Sequence, residues 1–263
     1  MPVEREPSVI AHRGASGTYA EHTLAAYQLA IEQGADGLEC DVRLTADGHL
    51  VCVHDRTVDR TSNGKGVVST LELAELSQLD FGNWRNGPEE ADWTGPEHTR
   101  VLTLERLLEL HADAGRRVEL AVETKHPTRY AGLVEKRLLE LLRRFDLVRT
   151  GSPVRVMSFS QLSLRRIRDA APELPTVFLT ERVLPWLRDG SLPYGARIAG
   201  PGIDLVRANP GYVRALQRAG QQVHVWTVDE VADIELCLEL GVDAIISNHP
   251  LRVIEHLAAR KGA

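Results

Sequence analysis

Leu38-Glu39-Cys40-Asp41-Val42-Arg43-Leu44 is the run on which the fold turns. Alternation with a period of two puts Leu38, Cys40 and Val42 on one face of a strand and Glu39 and Asp41 on the other. The run 118–123 repeats the pattern, with Val118, Leu120 and Val122 to one side and Ala121, Glu123 and, just beyond, Lys125 to the other. A solvent-facing edge strand would alternate in the same way. In a closed barrel, however, the polar face is luminal, and acidic side chains near the C-terminal strand ends belong to the active-site mouth.

Outward from these two runs, short β-branched segments at 9–12, 154–159, 177–180, 203–206, 223–228 and 244–247 alternate with amphipathic stretches at 23–33, 104–114, 130–145, 162–171, 212–219, 231–240 and 251–259. Such alternation predicts βαβ units and a parallel sheet. About eight units in 263 residues favour an α/β fold of the (β/α)8 TIM-barrel type over an open doubly wound sheet. The expectation is a single domain over 1–263, with a small insertion at about 60–100 over the C-terminal mouth. That insertion is rich in Gly, Asn, Asp and Pro, has a short helical pattern at 71–79, and carries Trp84 and Trp93, read as loop anchors rather than pocket lining.

One segment departs from the parallel scheme. Residues 50–54 follow 38–44 after only Thr45-Ala46-Asp47-Gly48-His49, and Asp-Gly between apolar runs signals a hairpin. A two-residue Asp47-Gly48 turn would oppose Ala46 to His49 and Asp41 to His54, making 50–54 a returning antiparallel arm.

Composition narrows the class. The chain is 43% apolar, 26% charged and 5% aromatic, which excludes disorder, collagen-like repeats and a disulfide scaffold. A net charge of −6 gives no global reason to bind nucleic acid or an anionic membrane, so an anionic ligand must be held by local charges. Cys40, Cys52 and Cys237 lie in apolar runs and read as reduced core filler. The start, 1–7, lacks the features of a secretory signal, and no apolar run approaches the ~18 residues of a membrane span, so a soluble, cytoplasmic protein without stable membrane anchoring is expected. No dinucleotide or phosphate-loop glycine motif follows a strand; Asn63-Gly64-Lys65-Gly66 reads as a tight turn.

The barrel reading brings His12, Glu39, Asp41, His54, Glu123 and Lys125 to one mouth. Three converging carboxylates repel one another and need a cation, and all-oxygen ligands select a hard divalent ion, Mg2+ or Ca2+ with Mn2+ as a further candidate. Neutralisation by Lys125 is the alternative. Two imidazoles can serve as general acid and base, while a metal, an Arg and a Lys neutralise an anion, which suits cleavage of a phosphate ester.

These residues resemble the glycerophosphodiester phosphodiesterase family over most of the chain. The resemblance rests on His12-Arg13-Gly14, on Glu39 and Asp41, on His54-Asp55 with the loop 63–66, on Glu123-Thr124-Lys125, and on Val225-Trp226-Thr227-Val228 and Gly241-Val242-Asp243. It implies Glu39, Asp41 and Glu123 as metal ligands, His12 and His54 as proton-moving groups, Arg13 and Lys125 on the phosphate, and Trp226 against the glycerol moiety or its substituent. His224 is read as core. The implied reaction is metal-dependent hydrolysis of a glycerophosphodiester to sn-glycerol 3-phosphate and an alcohol. The alternatives are a lysophospholipase D or sphingomyelinase D type of phosphodiesterase, whose apolar lip could come from Phe81, Trp84 and Trp93, or a non-catalytic glycerophosphodiester-binding barrel. Oligomeric state is left open. Two departures stand out: Ala20-Glu21-His22-Thr23 replaces the family's usual Pro-Glu-Asn-Thr, with His22 read as structural, and Asn248 stands where an Asp is common.

Overall fold

In a computed structural model, residues 6–84 and 96–261 are described. Eight parallel strands close on one another: β1 (Ser8–His12), β2 (Gly37–Leu44), β4 (Glu119–Thr124), β5 (Val154–Ser158), β6 (Thr176–Thr180), β7 (Ile198–Pro201), β8 (Gln222–Val225) and β9 (Ala244–Ser247). The β1–β2 and β1–β9 pairings complete the ring, so the barrel has no open edge. A short β3 (Leu50–Cys52) adds to β2 from outside, antiparallel, as the hairpin signal predicts.

Each strand sorts its side chains by parity. Leu38, Cys40 and Val42 pack outward with Leu120 and Val122 against the helices Leu24–Glu32, Leu104–Ala112 and Leu133–Arg144. Inward, Ile10, Ala121, Met157, Val177, Leu179, Ile198, Ala244 and Ile246 form an apolar layer across the lumen. The barrel is therefore plugged at mid-height, leaving polar positions only at its two ends. The cysteines are buried and free.

Two expectations need correction. The hairpin register is one residue off: Val42 pairs with Cys52 and the Val53 amide donates to the Asp41 carbonyl, so Asp41 is not opposite His54. The reason is a three-residue loop. Thr45 N donates to the His49 carbonyl, the Thr45 hydroxyl holds Asp47, and Gly48 takes φ +89°, a conformation glycine adopts without strain. Residues 203–206 form the first turn of a helix (Ile203–Ala208), and the strand is Ile198–Pro201 instead. Its Ala199, Gly200 and Pro201 have low strand propensity, and burial on both faces stabilises it. The helix N-cap is Thr23, whose hydroxyl accepts from the Ala26 amide, while His22 precedes the cap at φ +61°.

Between β3 and the helix Leu104–Ala112 the described residues build a small apolar cluster on the hairpin arm. Val58, Val68, Leu76, Phe81 and Val101 pack on Val51 and Val53. Phe81 is thus an anchor, buried at 6% exposure, and Trp84 lies under the Arg60 guanidinium at 5.8 Å. Trp93 lies outside the described residues. No helix among them is long and apolar enough to cross a membrane.

Candidate active site

At the C-terminal end of the barrel, β1 delivers His12, β2 delivers Glu39 and Asp41, and β4 delivers Glu123. The β2–β4 register sets Asp41 beside Glu123. Ligand oxygens of Glu39, Asp41 and Glu123 lie within 4.8 Å of one another, and all three side chains are buried. His12, Arg13, Glu39, His54, Glu123, Lys125 and Trp226 line one cavity of about 100 Å3 over this cluster, together with Phe159 and Glu181. Asp41, only 1% exposed, lies behind them.

Two cations answer the three carboxylates. Lys125 Nζ stands 2.9 Å from Asp41 Oδ1 and 2.8 Å from Glu123 Oε1. Arg13 Nε stands 3.0 Å from Asp41 Oδ2, and its Nη1 donates to Glu21 Oε1 at 3.0 Å. Although burial opposes ionisation, Lys125, His22 and Arg13 hold Asp41 well below the usual carboxylate range. Burial, reinforced by the Asp41 charge, pushes Glu39 well above it and Glu123 up to about 8. The upward shifts record the mutual repulsion and burial of these carboxyls, which a divalent cation held among them would relieve. The donor set fits a hard, oxygen-seeking ion.

Each imidazole is fixed from behind. His12 Nδ1 donates to Asn248 Oδ1 at 2.7 Å, and the amide is itself oriented by Nδ2 donating to Asp229 Oδ2 at 2.6 Å and by the Ser16 hydroxyl. This tautomer leaves the Nε2 lone pair facing the carboxylates, 3.9 Å from Glu39 Oε2. Burial, with Arg13 nearby, lowers His12 to about 3, so it is neutral. His54 Nδ1 donates to Asp55 Oδ1 at 2.7 Å, and Asp55 is lowered to about 2, chiefly by its hydrogen bonds from Arg60. Burial, with the Lys125 and Arg13 charges, lowers His54 as well, against the Asp41 charge and the hydrogen bond to Asp55. His54 reaches the mouth despite the shifted register because it lies beyond the end of β3, where the chain has left the ladder.

The tight turn after β1 shapes the rim. A Cβ on Gly14 would lie 2.6 Å from the Ala26 backbone, and Gly14 adopts φ +83°, so only glycine lets the first helix approach. Arg13 is thereby set with its amide 3.1 Å from Glu39 Oε2. His22 is buried, with Nε2 donating to Asp41 Oδ2 at 2.9 Å and Nδ1 meeting the Tyr27 hydroxyl at 2.8 Å. It braces a carboxylate and does not line the cavity.

A family model for the glycerophosphoryl diester phosphodiesterase family matches residues 12–252. The chain belongs to this family. As a glycerophosphoryl diester phosphodiesterase it is a phosphodiester hydrolase, and similar proteins carry the same name. It is 48% identical over 250 residues to a probable glycerophosphodiester phosphodiesterase of Mycobacterium tuberculosis, covering 94% of this chain and 90% of that protein. It is 36% identical to a Bacillus subtilis glycerophosphodiester phosphodiesterase, covering 92% and 83%. Among solved structures, a phosphodiesterase of Oleispira antarctica in complex with the product sn-glycerol-3-phosphate superposes with a TM-score of 0.80 at 26% identity, covering 96% of this chain and 97% of that one.

Sequence reasoning missed several groups in this phosphodiesterase. Asn248 and Asp229 set His12, Glu21 and Arg60 brace Arg13 and Asp55, and Phe159 stacks edge-on against Trp226 at 5.5 Å. Asp55, beside His54, Asn248, as a departure from the family pattern, and Glu21, within Ala20-Glu21-His22-Thr23, stood out in the sequence without a role.

Proposed function

We propose that the chain hydrolyses glycerophosphodiesters to sn-glycerol 3-phosphate and an alcohol, with one divalent cation held by Glu39, Asp41 and Glu123. The observation that carries this reading is a pair of separately oriented imidazoles over one buried carboxylate cluster. Mg2+ or Ca2+ fits the all-oxygen set, and Mn2+ is admissible. When bound, the ion stabilises charge on the phosphoryl oxygens.

The remaining chemistry belongs to side chains. Arg13 and Lys125 offer N–H groups to phosphate oxygens while remaining anchored on carboxylates. His12 is neutral with a free Nε2, which suits it to take the proton of the attacking hydroxyl, from water or from the substrate's own neighbouring group. His54, backed by the Asp55 carboxylate, suits the opposite role: in its imidazolium form, with Nδ1–H kept on Asp55, it gives its Nε2 proton to the departing oxygen as the P–O bond to the alcohol breaks. Trp226 Nε1 donates to the Gly200 carbonyl at 2.7 Å, which holds the indole with Phe159 as an apolar wall for glycerol or its substituent.

A second reading has its own support. Phe159 (42%), just after β5, Leu162 (55%), in the first turn of the helix Gln161–Ala170, and Trp186 (67%), in the 3-10 turn Pro185–Leu187 after β6, are exposed at the mouth end, and an exposed apolar lip suits a single-chain lipid. An assay of glycerophosphocholine beside lysophosphatidylcholine, each with saturating divalent ion, separates the readings. Release of glycerol 3-phosphate from the first, well above the second, is expected. Turnover of neither substrate, with binding retained, would make the barrel a sensor.

A further inference from the structure

A cleft of about 480 Å3 opens beside the catalytic cavity. Its lining carries Arg43, Arg56, Arg129 and Lys125 and no carboxylate, in a chain whose net charge is −6. Among the described residues, no carboxylate lies within ion-pair distance of Arg43, Arg56 or Arg129. Arg43 spends two of its donors on a neutral group, the His54 carbonyl, at 3.0 and 2.7 Å. Arg129 lies over the Tyr130 ring at 5.6 Å, and the Tyr130 hydroxyl donates to the Ser69 carbonyl at 2.9 Å, tying one wall of the cleft to the other. Arg43, Arg56 and Arg129 thus bring like charge without a carboxylate partner to one cleft, and an anionic ligand would supply the counter-charge.

The cleft adjoins the site. Lys125 lines both cavities, and a smaller space of about 250 Å3 shares Arg43 and Lys125 with the cleft and His54, Glu123 and Lys125 with the catalytic cavity. That space is lined by His54, the group assigned above to the departing alcohol. A substituent on that alcohol therefore leaves past His54 toward Arg43, with Arg56 and Arg129 beyond.

We infer that this cleft is the subsite for the alcohol side of the diester and that it takes a leaving group bearing a phosphate of its own. Guanidinium forks match phosphate oxygens in geometry as well as in charge. This rests on the proposed phosphodiesterase activity and specifies its substrate class: glycerophosphodiesters with a second phosphate, favoured over those with a neutral or cationic head.

The test compares kcat/KM of the full chain, with saturating divalent ion, for glycerophosphocholine, glycerophosphoglycerol and glycerophosphoglycerol carrying a terminal phosphate. The phosphorylated substrate is expected to lead glycerophosphocholine by about tenfold or more, as a charge-assisted contact supplies. Arg56→Gln combined with Arg129→Gln should erase most of that ratio, and since both side chains are exposed the fold should stand, checked by an unchanged melting temperature. Added salt should compress the ratio in the parent protein. Equal kcat/KM for the three substrates, or a ratio untouched by the double variant, overturns the inference while leaving the phosphodiesterase reading intact. Failure to hydrolyse any of the three overturns both.

Discussion

Strand β4 carries two luminal glutamates, Glu119 at the floor of the barrel and Glu123 at the mouth, with Ala121 and the apolar layer between them. The floor is balanced: Glu119 pairs with Arg155, and Arg155 Nη1 meets His224 Nδ1 at 3.1 Å. Burial, helped by Arg155, lowers His224 to about 3, so its ring accepts that hydrogen bond as a neutral group. The mouth is unbalanced: among the described residues, Glu39, Asp41 and Glu123 face two permanent cations, Arg13 and Lys125, besides the imidazoles of His12 and His22. Glu123 is pushed up to about 8 by burial and Asp41. Charge buried for architecture is matched pairwise, whereas charge buried for chemistry is left short of a counter-ion.

The largest effect should separate the imidazoles at the two ends. His12→Ala or His54→Ala should lower kcat by about 10²- to 10⁴-fold, the usual worth of acid–base assistance, with little change in melting temperature. His224→Ala should do the reverse, losing stability while kcat stays within about threefold in steady-state assays. Equal loss of turnover in all three variants would break the comparison.

Metal dependence comes next. A divalent ion at about 100 times its Kd should stabilise the parent protein by about 2.7 kcal/mol, which calorimetric melting resolves as several degrees. Glu39→Gln should abolish that response. If chelator leaves the melting temperature unmoved, the mouth is balanced after all.

Glu21 sharpens the electrostatic side. Despite burial, Arg60 and Arg13 hold its carboxyl at about 2, below its ordinary 4.5. A depressed carboxylate contributes stability that is present above pH 4.5 and lost as pH falls toward 2. Glu21→Gln should therefore be less stable than the parent at pH 7, by on the order of 2 kcal/mol, and the two should converge near pH 2 in urea titrations. The smallest effect concerns the apolar wall: Trp226→Phe loses one hydrogen bond to the Gly200 carbonyl, about 1 kcal/mol, and should appear in KM more than in kcat.

The barrel and most of the mouth were legible because parity along a strand is written in the sequence: Glu39 with Asp41, and Ala121 with Glu123, follow from period two alone. The hairpin register was not, because the Thr45 hydroxyl and its hold on Asp47 decide the loop length. Strand β7 was hidden by Ala, Gly and Pro, which burial rather than propensity keeps in place. Asn248 could not be given a role from sequence, since its meaning lies in a contact across 236 positions to His12. Arg56 and Arg129 were equally silent, because only folding sets their segments face to face.

The most direct measurement is a calorimetric titration of Mg2+, and then of Ca2+ and Mn2+, into metal-stripped protein, run on the parent, Glu123→Gln and Glu119→Gln. The account predicts one divalent site in the parent, retained by Glu119→Gln at the floor and lost or strongly weakened by Glu123→Gln at the mouth. Undiminished binding by Glu123→Gln, or no binding by the parent, would contradict it.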